Sequence, residues 1–198
     1  MAFLPVTRRI LLLAPLLLPA LACAEPGPLY VEGQPFERRA VVAGAELRLN
    51  GTGVRAVAWI EGYAAGLYLT APASTAAQAV AMPGPKRLQL RMLQSAPAAE
   101  FVKAFSKGMV RNSTGAEVER LASRMSRFEA YITDAGQVRQ GDVVDLDLDP
   151  AEGTRFMLNG RPRGEAIPGD DFYAALLRAF IGERPYDKRL KSGLLGGH

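Results

Sequence analysis

Along the chain, hydrophobic and polar positions alternate with two different periods, and the changes of period mark out the elements. Period two comes first. ERRAVVAGAELRLNG, residues 37–51, reads as strand material ending at Asn50-Gly51, a strong turn signal. Residues 54–69, from VRAVAWIEGYAAGLYL, read as one long strand. On that reading Arg55, Val57, Trp59, Glu61, Tyr63, Ala65, Leu67 and Leu69 share a face. An arginine and a tyrosine among apolar neighbours admit two explanations: an edge strand with its polar residues in water, or an anion site set in an apolar pocket. KRLQLRML (86–93) sets Leu88, Leu90 and Met92 against Arg87, Gln89 and Arg91, a strand with one buried face. DVVDLDLD (142–149) and TRFMLNG (154–160) form a hairpin through Pro150-Ala-Glu-Gly153, with Asp145, Asp147 and Asp149 turned to solvent.

Helical spacing fills the intervals. A short helix follows a Ser74 or Thr75 cap and stops at Pro83-Gly84-Pro85. AEFVKAFSKGMVRN (99–112) follows Ser95 as cap, with Pro97 in its first turn. STGAEVERLASRMSRFEAYI opens on Ser113 or Thr114 with Glu117 in the first turn, and its apolar face is Val118, Leu121, Ala122, Met125 and Phe128. DDFYAALLRAFIG begins behind Pro168-Gly169, where Asp170 and Asp171 suit the positive end of the helix dipole. EPGPLYVEGQPF (25–36) is an extended lead-in, and Lys188-Arg189 belong to a solvated end. There is no repeat and no internal linker. These elements predict a single α+β domain, an antiparallel sheet with helices packed on one side.

The first residues change the picture of where the protein works. Arg8 and Arg9 precede the apolar run Ile10–Ala22, and Ala22-Cys23-Ala24 fits a small-x-small cleavage site. Residues 1–24 therefore read as a signal peptide and 25–198 as the domain, with a periplasmic or secreted destination. Cys23, the one cysteine, permits acylation as an alternative, but Ala20 is a poor match to the aliphatic position of a lipobox. In either case no disulfide, zinc or thiol-redox chemistry is available. The formal charge is +4, and loss of Arg8 and Arg9 leaves +2, with no dense basic tract to suggest nucleic acid. No later apolar run is long enough to span a membrane.

Candidate chemistry is narrow. His198 is the single histidine and the last residue, which leaves no histidine-dependent triad or metal centre. Asp145, Asp147 and Asp149 have calcium-like spacing, but Pro150 stands where an EF-hand needs glycine. GTGVR lacks the Lys-Ser/Thr of a phosphate loop and reads as a tight turn, so no cofactor is expected. On helix 99–112, Phe101, Phe105, Gly108 and Asn112 lie in one stripe; Asn112 either ends the helix or presents a polar group to a cavity.

Gly51-x-Gly53-x-Arg55, followed by Ala65-Gly66-Leu67-Tyr68-Leu69 and by NGRPRGEAIPGDDFYAALLRAFIG (159–182), resembles the chalcone isomerase superfamily and its exported bacterial members. The resemblance covers roughly residues 28–195. It implies an open-faced β-sandwich, a large antiparallel sheet covered by helices, with a ligand cleft between. In the plant enzymes an arginine, a threonine, a tyrosine and an asparagine surround the substrate. Arg55 matches the arginine and Asn112 the asparagine, but Phe105 falls at the tyrosine and Tyr63 at the threonine. Losing one oxyanion donor costs about 10²–10³ in rate, which argues against efficient chalcone isomerisation. An arginine and a tyrosine on one strand are what the non-catalytic fatty-acid-binding relatives use for a carboxylate. The resemblance thus implies a small amphipathic ligand such as a fatty acid, with Arg55 and Tyr63 at its acidic end and Trp59, Val57, Phe101, Phe105 and Met109 along its apolar part. Two other readings stay open: an isomerase or lyase acting on an enone-like substrate with Arg55 stabilising an oxyanion, and an envelope scaffold with no pocket; on the predicted strand face Glu61 is an alternative, internal partner for Arg55.

Overall fold

The computed structural model describes residues 27–57 and 60–197, together with the side chains of that range except Val57, Ile60 and Glu61. The leader, Cys23, Trp59, the Glu61 side chain and His198 lie outside the described residues. Seven strands form one antiparallel sheet: β3 (Arg39–Val42), β4 (Ala45–Val57), β5 (Ile60–Leu69), β6 (Lys86–Met92), β9 (Val143–Asp149), β10 (Gly153–Leu158) and β11 (Arg161–Pro162), in the order β11-β10-β9-β6-β5-β4-β3. Two small pairs flank it, β1 (Leu29–Val31) with β2 (Gln34–Phe36), and β7 (Ala96–Pro97) with β8 (Gln137–Val138). The helices are α1 (Ala76–Ala81), α2 (Ala98–Arg111), α3 (Gly115–Asp134), α4 (Asp170–Ile181) and α5 (Lys188–Leu194). This is the expected α+β architecture, and its largest core fills the space between the sheet and the helix layer.

The predicted strand 54–69 is two strands. β4 and β5 are antiparallel neighbours, with Val57 paired to Ile60 at the reversal. Nor does the chain turn at Asn50-Gly51, which lies inside β4. The left-handed pairs that reverse the chain are Glu32-Gly33, Ala43-Gly44 and Asn159-Gly160, each with both φ values between +47° and +75° as tight hairpins require. Asn50 is instead the extra residue of a β-bulge between Leu49 and Gly51. Its side chain is fully used: Nδ2 donates to the Ala73 and Leu194 carbonyls, and Oδ1 accepts from the Ala73 amide.

The bulge changes which face the following residues occupy. Leu49 pairs with Tyr68 on the outer face, whereas Gly51, Gly53 and Arg55 pair with Leu67, Ala65 and Tyr63 on the helix side. The two glycines are there because α5 lies directly on the strand. A Cβ on Gly51 would stand 2.2 Å from the Gly193 carbonyl oxygen, and one on Gly53 about 3.0 Å from that of Leu190. Leu190 and Leu194 are wholly buried by this docking, so residues 188–194 are a packed helix rather than the solvated end the charges suggested.

The helix boundaries follow local chemistry. Thr75 and Thr114 close capping boxes with Gln78 and Glu117, satisfying amides that would otherwise be orphaned. α2 differs: Pro97 stands at its N-cap without a side-chain bond, and Ser95 accepts from the Gln140 amide instead. α4 is buried almost all round, and its Tyr173 hydroxyl donates to the Leu146 carbonyl of β9. It is fixed to α3 by Arg124, whose two terminal nitrogens grip Asp171, and by Arg178 to Glu117.

The outer face of the sheet is covered too. Phe36 of the β1–β2 hairpin lies over Gly66, where any Cβ would collide with its ring, and the Arg91 guanidinium stacks 5.4 Å from that ring's centre. The sheet curls enough for β3 to approach β9. Asp145 and Asp147, expected to face water, are buried beneath this cover. Arg87 forms a bidentate pair with Asp147, at 2.7 and 2.6 Å, and Gln89 donates to Asp145. Burial keeps the Asp147 carboxyl above its ordinary range even though Arg87 opposes that shift.

Candidate functional site

The row Gly51, Gly53, Arg55 explains how a cation reaches the helix side of the sheet. Where α5 covers the strand there is no room for side chains; Arg55 is the next residue on that face and projects past the N-terminal end of α5. Directly opposite on β5 is Tyr63, so the two share a face as cross-strand partners rather than as alternate residues of one strand. The other wall is Tyr186, immediately before the α5 cap Asp187. The Arg55 Cζ lies 5.9 Å from the centre of the Tyr63 ring and 5.6 Å from that of Tyr186, within cation–π range of both.

These three residues form the polar end of a cavity between the sheet and α2. β6 contributes Leu90 and Met92, α2 contributes Phe101, Ala104 and Phe105, and α4 contributes Phe180. Glu100 and Gln94 stand at the mouth, both exposed. The enclosed space is about 100 Å³, and about 530 Å³ is empty once the open mouth is included. The apolar wall is held rigidly. Phe105 meets Phe128 edge-on at 5.6 Å and Phe180 at 5.8 Å, and Phe180 meets Tyr186 edge-on at 5.3 Å.

Electrostatics single out the polar end. Arg55 has no hydrogen bond or ion pair with any described residue, and the Tyr63 hydroxyl is likewise without a partner among them. Burial pushes the Tyr63 hydroxyl well above its usual pKa, with Arg55 drawing it partly back. Burial does the same to Tyr186, whose hydroxyl donates to the Ala104 carbonyl. Both phenols are therefore neutral at physiological pH, and Tyr63 is available as a donor beside a guanidinium. The arrangement suits a carboxylate: a planar cationic fork with a hydroxyl next to it, at the end of an apolar chamber.

The expected site residues divide clearly. Arg55, Tyr63 and Phe105 come together on the cavity, and Phe101 joins them. Met109 is buried in the core and not on the cavity wall. Asn112 is elsewhere: as C-cap of α2 it donates to the Gly108 and Arg184 carbonyls and accepts from the Arg184 amide, anchoring the α4–α5 connection. Trp59 lies outside the described residues, as does the Glu61 side chain. Tyr186, Phe180, Leu90 and Met92 line the cavity without having been anticipated there. The one local hint for Tyr186 was an aromatic residue set in the otherwise polar stretch ERPYDKR.

A family model described as chalcone isomerase-like matches residues 29–196. No curated protein matches the chain. Among solved structures, the crystal structure of a fatty-acid binding protein of Arabidopsis thaliana is similar, with a TM-score of 0.59 and 16% identity. The match covers 82% of this chain and 92% of that one, a likeness of fold. With the family match spanning nearly all of the described residues, the chain belongs to the chalcone isomerase-like family.

Proposed function

We propose that this protein is an exported, non-catalytic binder of a small amphipathic carboxylate, with a fatty acid as the leading ligand. The observation that carries the reading is Arg55, a guanidinium unpaired among the described residues, at the polar end of an apolar cavity. A buried or half-buried cation is costly without an anion, and a ligand carboxylate supplies one. Tyr63 adds a hydroxyl donor, and Phe101, Phe105, Phe180, Leu90 and Met92 surround the chain of the ligand. The structural neighbour is a protein named for fatty-acid binding, which agrees in kind. Phe105 places a ring without a hydroxyl where the family's enzymes carry their tyrosine, which favours binding over turnover. Export rests on the leader, Arg8-Arg9 before an apolar run ending at Ala22-Cys23-Ala24.

The test is native mass spectrometry of the protein purified from its own host, followed by titration with a fluorescent fatty acid. A co-purifying carboxylic acid is expected in the wild type. Arg55→Ala should weaken binding about 10- to 150-fold, the worth of a hydrogen bond to a charged group. Tyr63→Phe should cost about 2- to 10-fold. An empty wild-type protein that binds no fatty acid would sink the proposal. Enone turnover lost in Arg55→Ala would move the assignment to an isomerase or lyase.

A further inference from the structure

The mouth of the cavity opens beside a row of cations that the binding reading leaves unused. Lys103, Lys107 and Arg111 follow one another at four-residue intervals on α2, about 6 Å apart, and all three are exposed. The opposite side of the same helix is buried through Phe105, Gly108 and Met109. Lys103 and Lys107 make no ion pair among the described residues, and Arg111 gives a single hydrogen bond to the Pro185 carbonyl. Glu100 is the one acid of α2, and Glu117 and Glu183 line a groove at the Arg111 end of the row. Val110, seven residues after Lys103 and so on the same side, is 48% exposed. Arg55, Glu100, Ala104 and Tyr186 line both the cavity and the shallow groove that holds the three cations, so the cavity is entered through the basic row.

We infer that the exposed face of α2 docks the protein on an anionic lipid bilayer, with the cavity mouth turned toward the lipid. The inference rests on the amphiphile-binding reading, because such a ligand resides in bilayers and must be taken from them or returned. A straight row of cations on one helix, with an aliphatic side chain among them, matches a planar anionic surface. Each lysine or arginine near such a surface improves partitioning about fivefold, so the row supplies about a hundredfold. The attraction falls as salt shortens the screening length.

The experiment is co-sedimentation of the mature chain with vesicles of phosphatidylglycerol and phosphatidylethanolamine, against vesicles of phosphatidylcholine alone. Binding to the anionic vesicles should exceed binding to the neutral ones and weaken with salt. The double variant Lys103→Glu/Lys107→Glu should bind anionic vesicles at least 25-fold more weakly. Its melting temperature, and its affinity for a fluorescent fatty acid in vesicle-free solution, should match the wild type. Equal binding to both vesicle types, or a double variant that binds like the wild type, overturns the docking face. A double variant that loses fatty-acid affinity in vesicle-free solution also overturns it, by assigning the cations to the ligand's own headgroup. Wild-type vesicle binding without fatty-acid binding in solution would instead count against the ligand assignment, so the two failures are distinguishable.

Discussion

Gly51→Ala is the substitution that probes how the fold delivers its cation. The new methyl group would lie 2.2 Å from the Gly193 carbonyl oxygen and 2.8 Å from the Leu194 carbonyl oxygen and the Gly196 amide nitrogen. All three are backbone atoms of α5 and its C-terminal turn, so no side chain can swing away. Either the helix backs off the strand or it leaves. Overpacking with limited adjustment costs about 1–3 kcal/mol. Full release would expose Leu190 and Leu194, both wholly buried, at about 1.5–3 kcal/mol each. The expected loss therefore lies between about 1 and 6 kcal/mol. In a domain of this size that lowers the melting temperature by about 2–4 °C per kcal/mol. Because Tyr186 immediately precedes the α5 cap, fatty-acid affinity should fall along with stability. Circular dichroism melting, with limited proteolysis between α4 and α5, measures both effects. A variant melting within 1 °C of the wild type, with unchanged protease resistance, would refute the reasoning that α5 is seated on Gly51.

Three further outcomes follow from contacts already described. Asp147→Asn leaves Arg87, with 19% side-chain exposure, without its bidentate partner and should destabilise by about 3 kcal/mol; Arg87→Met/Asp147→Leu should recover much of that in a urea melt. Asp171 is held down to about 2 from an ordinary 3.8, chiefly by the hydrogen bond from Arg124, so its contribution is complete above pH 4 and lost as pH falls toward 2. With the Asp171 side chain 38% exposed, solvent reduces that contribution to about 1 kcal/mol, and Arg124→Met should erase this part of the acid dependence of unfolding. Gly108→Ala puts a Cβ 2.2 Å from the Tyr186 hydroxyl oxygen and 2.4 and 2.6 Å from its ring carbons Cζ and Cε1, so the whole ring must shift, away from its hydrogen bond to Ala104. Overpacking of about 1–3 kcal/mol outweighs a helical gain of about 1 kcal/mol from alanine, so the melting temperature should fall, by up to about 8 °C. Fatty-acid affinity should drop about two- to fivefold as Arg55 loses a stacking ring.

Elements with strong local signals were legible in the sequence. The caps of α1 and α3, the strand Leu88-Leu90-Met92 and the hairpin around Pro150 lie where their patterns placed them, although that strand, read as having one buried face, has Gln89 buried on the other. Arg55 and Tyr63 were placed on one face, but through a continuous strand that does not exist. Periodicity survives a hairpin when cross-strand partners have matching parity, so the pattern alone could not tell the two arrangements apart. Asn50-Gly51 has the composition of a tight turn, yet Asn50 bonds to Ala73 and Leu194, partners 23 and 144 residues away. The Asp145–Asp147 face read as solvent-exposed because the cover over it comes from the β1–β2 hairpin and the curl of the sheet. Tyr186 escaped notice for the same reason: only the docking of α5 gives its position meaning.

An alternating strand behaves like a two-letter reading frame, and Asn50 is a one-residue insertion in it. Flattening the bulge, so that Asn50 took its place in the ladder opposite Leu67, would leave β4 able to zip against β5, since ladder hydrogen bonds do not depend on side-chain identity. Yet every later position would be transposed. Thr52 and Val54 would be thrust into α5, while Arg55 would emerge among Leu47 and Tyr68 on the far side of the sheet. The bulge in this strand is thus as much a part of the site as the arginine that follows it. A substitution that frees Asn50 from its bonds to Ala73 and Leu194 could therefore cost the pocket without altering one residue that touches it.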